Sequence, residues 1–243
     1  VNAPCEFLNW DSAFFNYRVG RVTCDTLAEP AVEAILRWSA DNRIDCLYFL
    51  ARANDDETVR LAEANGFHLV DIRVTLTARA SASASRSDHA NGVTIRPHVH
   101  EDISVLRAIA ATGYGDSRFY YDGHFPRERC NEMYAVWVEK ACNDPEQRVL
   151  VATVEDRIAG FITCAMLSPD RGRIGLLGVA ESFRGQRIGP CLIDSALDYF
   201  RSRNVEQVTV VTQGRNIAAQ RSYQRAGFVT ETIQLWYHKW FLP

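Results

Sequence analysis

The sequence predicts an α/β fold, strands layered with helices, on three observations. Apolar runs of strand-like composition alternate with segments whose apolar residues recur at helical spacing. One stretch, residues 78–92 (ARASASASRSDHANG), replaces that pattern with small and polar residues and reads as a linker between two units. Residues 173–200 run as strand, loop and helix in immediate succession, with glycines and arginines crowded into the loop.

Before the linker the pattern gives a strand around Tyr17 to Cys24, a helix from Pro30 to Asn42, a buried strand at Asp45 to Ala51, a helix from Asp55 to Ala64 and a strand from Leu69 to Thr77. After it come a strand at Val93 to Arg96 and a helical region from Glu101 to Asn143, interrupted near Gly113 to Pro126. Two strands, RVLVATV and IAGFITCAML, are separated by the turn EDR. A strand at Arg173 to Val179 leads through the loop FRGQRIGPCL into a helix on which Ile188, Leu192, Ile193, Ala196, Leu197 and Phe200 share one face. Pro190 fits the first turn of that helix, where a missing N–H costs nothing. The strand VEQVTVVTQ, a second helix and a final strand around Thr232 to Trp240 complete the chain.

One segment is echoed. LAEANGFHLVDIRVTL before the linker and SYQRAGFVTETIQLWY near the end both read as a helix closing on a small residue, Gly and Phe, followed by a strand. The N-terminal part is therefore expected to repeat half of the C-terminal fold, without the RGQRIG loop.

A 47% apolar content over 243 residues is ample for a buried core. The net charge of −3 provides no overall field for nucleic acid, so an anionic ligand must be held by local groups. No run approaches the roughly 18 apolar residues of a membrane span, and VNAPCEFLNWD has no signal-peptide pattern, so the expectation is a cytoplasmic protein. The seven cysteines are scattered and never spaced as C-x-x-C, which argues against a disulfide framework and against a metal site.

The loop at residues 184–189 has the composition of an anion site. A helix start offers unpaired N–H groups and the positive dipole end; Gly185 and Gly189 allow close backbone approach; Arg184 and Arg187 add charge. That combination suits a pyrophosphate. Gly175 and Gly178 inside the preceding strand point to a bulge, which would splay this strand from the next and open a cleft above the loop.

These residues resemble the GCN5-related N-acetyltransferases (GNAT). Arg184 and Gly189 fill the first and last positions of that family's Arg/Gln-x-x-Gly-x-Gly/Ala signature, while Arg187 stands where the middle glycine is usual. The pattern Asn-x-x-Ala-x-x-x-Tyr-x-x-x-Gly-Phe is met by Asn216, Ala219, Tyr223, Gly227 and Phe228. The segments NWDSAFFNYRVGRV, ANGFHLVDIRVTL and YGDSRFYYDGHF resemble two-domain members of the family that acetylate a nucleotide-linked deoxyaminosugar.

The resemblance implies an α/β GNAT fold, a mixed central sheet flanked by helices, with an N-terminal partial GNAT-like domain (1–77), a linker (78–92) and a catalytic domain (93–243). It implies acetyl-CoA as co-substrate and no metal. Leu177, Gly178 and Val179, with Arg184, Gly185, Gln186, Arg187, Ile188 and Gly189, would hold the cofactor together with Asn216, Ala219 and Tyr223. Tyr223 would protonate the leaving thiolate, and backbone N–H groups of residues 177–179 would polarise the carbonyl. Asn216 also reads as a helix N-cap. In the aromatic segment around residue 120, Arg118, Phe119, Tyr120 and Tyr121 are the candidate substrate contacts, since arginine forks onto phosphate and aromatic faces stack on rings. The general base is left open among Glu181, Asp116, His124, Glu231 and a water chain, with His124 reading as a solvated loop residue. Homodimer formation is also left open.

Overall fold

The computed structural model describes residues 3–80 and 92–241. The N-terminal half contains β1 (Cys5–Phe7), α1 (Asn9–Phe15), β2 (Val19–Val22), α2 (Glu29–Asp41), β3 (Cys46–Arg52), α3 (Asp56–Ala64) and β4 (His68–Arg79). Then follow β5 (Val93–Pro97), α4 (Ile103–Gly113), α5 (Arg118–Tyr121), α6 (Arg127–Asn143), β6 (Gln147–Val154), β7 (Arg157–Ser168), β8 (Arg171–Val179), α7 (Ile188–Arg201), β9 (Gln207–Gln213), α8 (Ile217–Arg225) and β10 (Val229–Trp240).

Among the described residues all strands join one sheet, in the order β1-β2-β3-β10-β4-β9-β8-β7-β6-β5. The succession β1-β2-α2-β3-α3-β4 has the same pairing as β7-β8-α7-β9-α8-β10: an antiparallel pair, then a parallel one. The last strands are exchanged. β4 pairs with β9, β10 pairs with β3, and the two lie antiparallel at the centre. Read outward from that centre, β10-β3-β2-β1 on one side corresponds to β4-β9-β8-β7 on the other, where β6 and β5 then extend the sheet.

The echoed helix ends share one geometry. Gly66 and Gly227 take φ of +72° and +93°, and the N–H groups of Phe67 and Phe228 each reach the carbonyl five residues back at 3.0 Å, on Ala62 and Tyr223. Both phenylalanine rings are buried.

Alternation along β6 separates the two faces of the sheet. Leu150 and Ala152 join the core under α7 and α8, whereas Val149 and Val151 join the aromatic core under α1, α4, α5 and α6. The predicted face of α7 is buried throughout: Ile188, Leu192, Ile193, Ala196, Leu197 and Phe200.

Three differences from the sequence reading have local causes. β4 continues through Ala78 and Arg79, paired with Val208 and Gln207, and the Ala80 N–H reaches the Glu206 carbonyl at 3.0 Å. Alternate small residues, Ala78 and Ala80, face the core there, so the first positions expected to be linker are sheet. The remainder of that linker, residues 81–91, lies outside the described residues. β1 and α1 were not expected: one has three residues and the other seven, too short for a periodic pattern.

Candidate active site

The expected bulge lies at Gly175 and Leu176. β7 and β8 shift register between Ile162 and Cys164, and the Leu176 N–H donates to Thr163 Oγ1 at 2.8 Å instead of to a backbone carbonyl. A Cβ on residue 175 would stand 2.6 Å from that oxygen, which is why glycine is required. At this same point β8 leaves its other neighbour. Its parallel pairing with β9 runs from Arg171↔Gln207 to Ile174↔Val210 and stops, although β8 continues to Val179 and β9 to Gln213. The result is a wedge between two strands.

The wedge is lined by backbone donors. The Ala180 N–H bonds to the Ala159 carbonyl at 2.9 Å, and the register continues through Gly160↔Val179, Phe161↔Gly178 and Ile162↔Leu177. In an antiparallel ladder alternate residues turn their N–H groups away from the partner strand. Leu177 and Val179 therefore direct theirs away from β7, into the space that β9 has left.

At the end of β8 a 3-10 turn, Glu181–Phe183, leads into the arginine and glycine loop. Gly185 sits at φ +78° and Arg187 at φ +62°, so the arginine at the middle-glycine position adopts the left-handed conformation glycine would supply. Cys191 is the first residue of α7 whose N–H returns to this loop, at 3.2 Å from the Arg187 carbonyl. Among the described residues no hydrogen bond takes the N–H of Gly185, Gln186 or Arg187, and neither the Arg184 nor the Arg187 guanidinium has an ion pair. Residues 184–187 are exposed at the mouth of a 14-residue helix. This is an anion cradle of free N–H groups, two cations and a helix dipole.

On the far side of the wedge, α8 opens with Asn216, whose Oδ1 accepts the Ala219 N–H at 3.0 Å. The capping role read from the sequence is thus present, with the amide nitrogen left over. Tyr223 lies two turns beyond Asn216, 5% exposed, with its ring 5.5 Å from that of Phe228. It belongs to the core against which Leu177, Val179 and Ala219 pack. Burial, and then the nearby Cys164, raise its phenol, which stays protonated through the neutral range.

The aromatic segment is bound up with β10. The Arg118 guanidinium lies over the rings of Tyr48, Phe119 and Trp236 at 4.2 to 4.3 Å and meets His238 Nε2 at 2.7 Å. His238 in turn contacts Asp122, which also accepts from Trp240 Nε1 at 2.9 Å. Phe119 is 3% exposed among the rings of Phe15, Phe125 and Trp137, so its faces are occupied by protein. The Tyr120 hydroxyl meets Asn131 at 2.7 Å, and Tyr121 is exposed beneath Arg215, whose guanidinium carbon is 3.5 Å from the ring centre.

Of the base candidates, Glu181, Asp116 and Glu231 are exposed, and His124 stacks on Trp240 while contacting Asp122 at 2.9 Å. Sequence reasoning missed Asp71. It is a carboxylate inside β4, 4% exposed, 3.5 Å from Arg215, and burial raises it to about 6. The signal was available as the one carboxylate in the run HLVDIRV. A hollow of about 230 Å³ beside the bulge is lined by Trp137, Lys140, Thr163, Arg173, Gly175 and Leu176. A larger one, about 980 Å³, lies at the opposite end of β4 and β9 around Arg79 and Gln207, away from the wedge. No group of metal-ligating side chains occurs among the described residues, and none of their helices is long and apolar enough to cross a membrane.

Comparison with known proteins agrees with this geometry. The pattern of the acetyltransferase (GNAT) family matches residues 112–228. A dTDP-fucosamine acetyltransferase of Escherichia coli is 28% identical over 244 residues, covering 98% of this chain and 99% of that protein. The spore coat polysaccharide biosynthesis protein SpsD of Bacillus subtilis is 27% identical over 57% of this chain and 48% of its own. In structure, a GCN5-related N-acetyltransferase from Sphaerobacter thermophilus superposes with a TM-score of 0.74 at 18% identity, over 98% of this chain and 76% of that one.

Proposed function

From the premise that this chain carries a GNAT-family domain and is an N-acyltransferase of that family, we propose that it moves an acetyl group from acetyl-CoA to the amine of a nucleotide-linked deoxyaminosugar. The amine would be that of dTDP-4-amino-4,6-dideoxygalactose or a close relative. The observation that carries the transfer is the wedge between β8 and β9, which holds backbone donors at Leu177 and Val179 and ends on the anion cradle at residues 184–189.

In this reading the pyrophosphate rests on the N–H groups of residues 185–187 and on Arg184 and Arg187. Asn216 offers its free amide nitrogen to the pantetheine chain. The acceptor nitrogen attacks the thioester carbonyl carbon directly; a C–N bond forms and the C–S bond breaks. The Leu177 and Val179 N–H groups draw charge onto the carbonyl oxygen, Tyr223 gives its proton to the departing sulfur, and the amine's proton leaves to solvent or a neighbouring carboxylate.

The sugar acceptor is supported by the likeness to the Escherichia coli protein along nearly its whole length. It is also in keeping with the packing of α1, β3, β4 and β10 against the 114–125 segment, which brings the N-terminal half up to the candidate substrate contacts. We assign the reaction to the cytoplasm, in keeping with seven unpaired cysteines. The test is CoA release against a panel of nucleotide-linked aminosugars, polyamines and peptides. A 4-amino-4,6-dideoxyhexose linked to dTDP is expected to give the highest kcat/KM, and preference for a peptide or polyamine would refute the sugar assignment.

A further inference from the structure

The arginine that the sequence offers for phosphate is already engaged. Arg118 is enclosed by three aromatic rings and gives Nη1 to His238, so the anionic part of a nucleotide-linked acceptor needs other cations. The hollow of about 230 Å³ beside the β8 bulge has them. Its walls include Trp137 and Lys140 of α6, Thr163 of β7 and Arg173, Gly175 and Leu176 of β8, and no carboxylate lines it among the described residues.

Alternation along β8 fixes the face that Arg173 takes. A Cβ on Gly172 would stand 2.4 Å from the Phe200 ring of α7, so residue 172 faces that helix and Arg173 turns to the α6 side. Arg73 of β4 points the same way, since its neighbour Val74 belongs to the core under α7. Lys140 and Arg173 are exposed, and among the described residues none of the three cations has an ion pair. The Lys140 ammonium is held 4.4 Å from the centre of the Trp10 ring, and Arg73 donates only to the neutral Gln234, at 3.3 Å. Burial, then the charges of Arg118 and Arg173, lower the Arg73 guanidinium. Like charges share this face of the sheet, and an anion among them relieves the repulsion.

The place suits the proposed transfer. Gly175 and Leu176 both wall the hollow and begin the wedge, and Leu177, whose N–H is assigned to the carbonyl, follows Gly175 by two residues, about 7 Å at the rise of a strand. One pyranose ring, which separates a 4-amine from an anomeric diphosphate, spans a comparable interval. The cofactor cradle stands at the start of α7, which covers the other face of the sheet. Two anionic ligands therefore reach the wedge from opposite faces without competing.

We propose that this hollow holds the diphosphate of the acceptor, with Lys140 and Arg173 donating to phosphate oxygens and Arg73 adding charge at its rim. The proposal rests on the nucleotide-linked acceptor assigned above and gives it a place.

The experiment titrates thymidine 5′-diphosphate, which carries the diphosphate and no amine, into the whole chain saturated with CoA. Calorimetry is expected to show binding with CoA in place, and far weaker binding of thymidine. Arg173→Gln and Lys140→Gln should each weaken the diphosphate roughly tenfold, and Arg173→Lys should recover part of the loss. In turnover the same two glutamine variants should raise KM for a nucleotide-linked aminosugar by a similar factor, with kcat and the KM for acetyl-CoA within about twofold of wild type. Both side chains are exposed, so melting temperatures should stay level. Displacement of the diphosphate by CoA, or wild-type affinity and KM in the variants with an accepted nucleotide sugar, would overturn the hollow while leaving the acceptor reading intact. A wild-type protein that acetylates no nucleotide-linked aminosugar would overturn both.

Discussion

Arg118 Nη1 lies 2.7 Å from His238 Nε2, joining α5 to a strand 120 positions further along the chain. Arginine can only donate, so Nε2 accepts and the imidazole proton sits on Nδ1, facing Asp122. A neutral histidine is thereby fixed between a carboxylate and a cation. His238 is fully buried, and burial lowers it to about 4 from its ordinary 6.5 in spite of the bond to Asp122.

This gives a signed pH dependence. Between pH 6.5 and about 4 the unfolded chain binds a proton at His238 that the folded chain refuses, so stability falls as pH falls through that window. Denaturant unfolding of wild type and His238→Gln from pH 8 to 4 measures it. The stability of wild type relative to the variant should be constant above pH 7 and decline steadily below 6.5. A difference that does not vary with pH would mean the imidazole is not held neutral.

Asp71 acts in the opposite direction. Burial raises it to about 6, with Arg215 only partly opposing, so its contribution is fully present below its ordinary 3.8 and is lost as pH rises through 6. Asp71→Asn should gain on wild type between pH 4 and 6 and hold a constant offset above that. The same denaturation series checks it, and a variant that holds level with or loses ground to wild type over this range would contradict the assignment.

The anion cradle separates charge from backbone shape. Arg184→Ala removes an exposed cation and should raise the KM or Kd for acetyl-CoA roughly tenfold, about 1.4 kcal/mol. Arg187→Gly removes a cation too, but relieves a left-handed residue at φ +62°, so it should weaken acetyl-CoA binding while raising the melting temperature or leaving it level. Calorimetric titration and thermal melts on both variants read the two effects independently. A destabilised Arg187→Gly would show that its side chain holds the loop.

The strand exchange makes the N-terminal half part of the catalytic sheet. Without residues 3–80, β9 loses its β4 edge and β10 loses both neighbours. Residues 92–241 alone should give no cooperative unfolding transition, whereas the whole chain should bind one acetyl-CoA, since the cradle occurs once among the described residues. A truncated chain with a sharp transition would refute this dependence.

What the sequence made legible was local. The α7 stripe, the glycine bulge and the Asn216 to Phe228 pattern each lie within one or two elements, where periodicity and backbone sterics act over a few residues. The Arg118, His238 and Asp122 chain depends on β10 crossing to pair with β3 and β4, which no short-range pattern encodes. For the same reason Phe119 reads from sequence as a ring free to stack on a ligand, while the fold surrounds it with Phe15, Phe125 and Trp137.

Tyr223 can be tested by removing one oxygen. Its ring is 5% exposed and packed against Phe228, while its hydroxyl has no hydrogen bond among the described residues, so Tyr223→Phe should leave the melting temperature within a degree or two of wild type. A general acid behaves differently. Without the phenol the thiolate must leave unprotonated or find water, and turnover should fall on the order of a hundredfold while acetyl-CoA affinity is unchanged. The pH profile adds a further readout. Because burial holds the phenol above its usual range, wild-type kcat should show no decline attributable to this group up to pH 10. Near-normal turnover in a stable Tyr223→Phe protein would remove the tyrosine from the chemistry. Thiolate protonation would then fall to water entering along the wedge between β8 and β9.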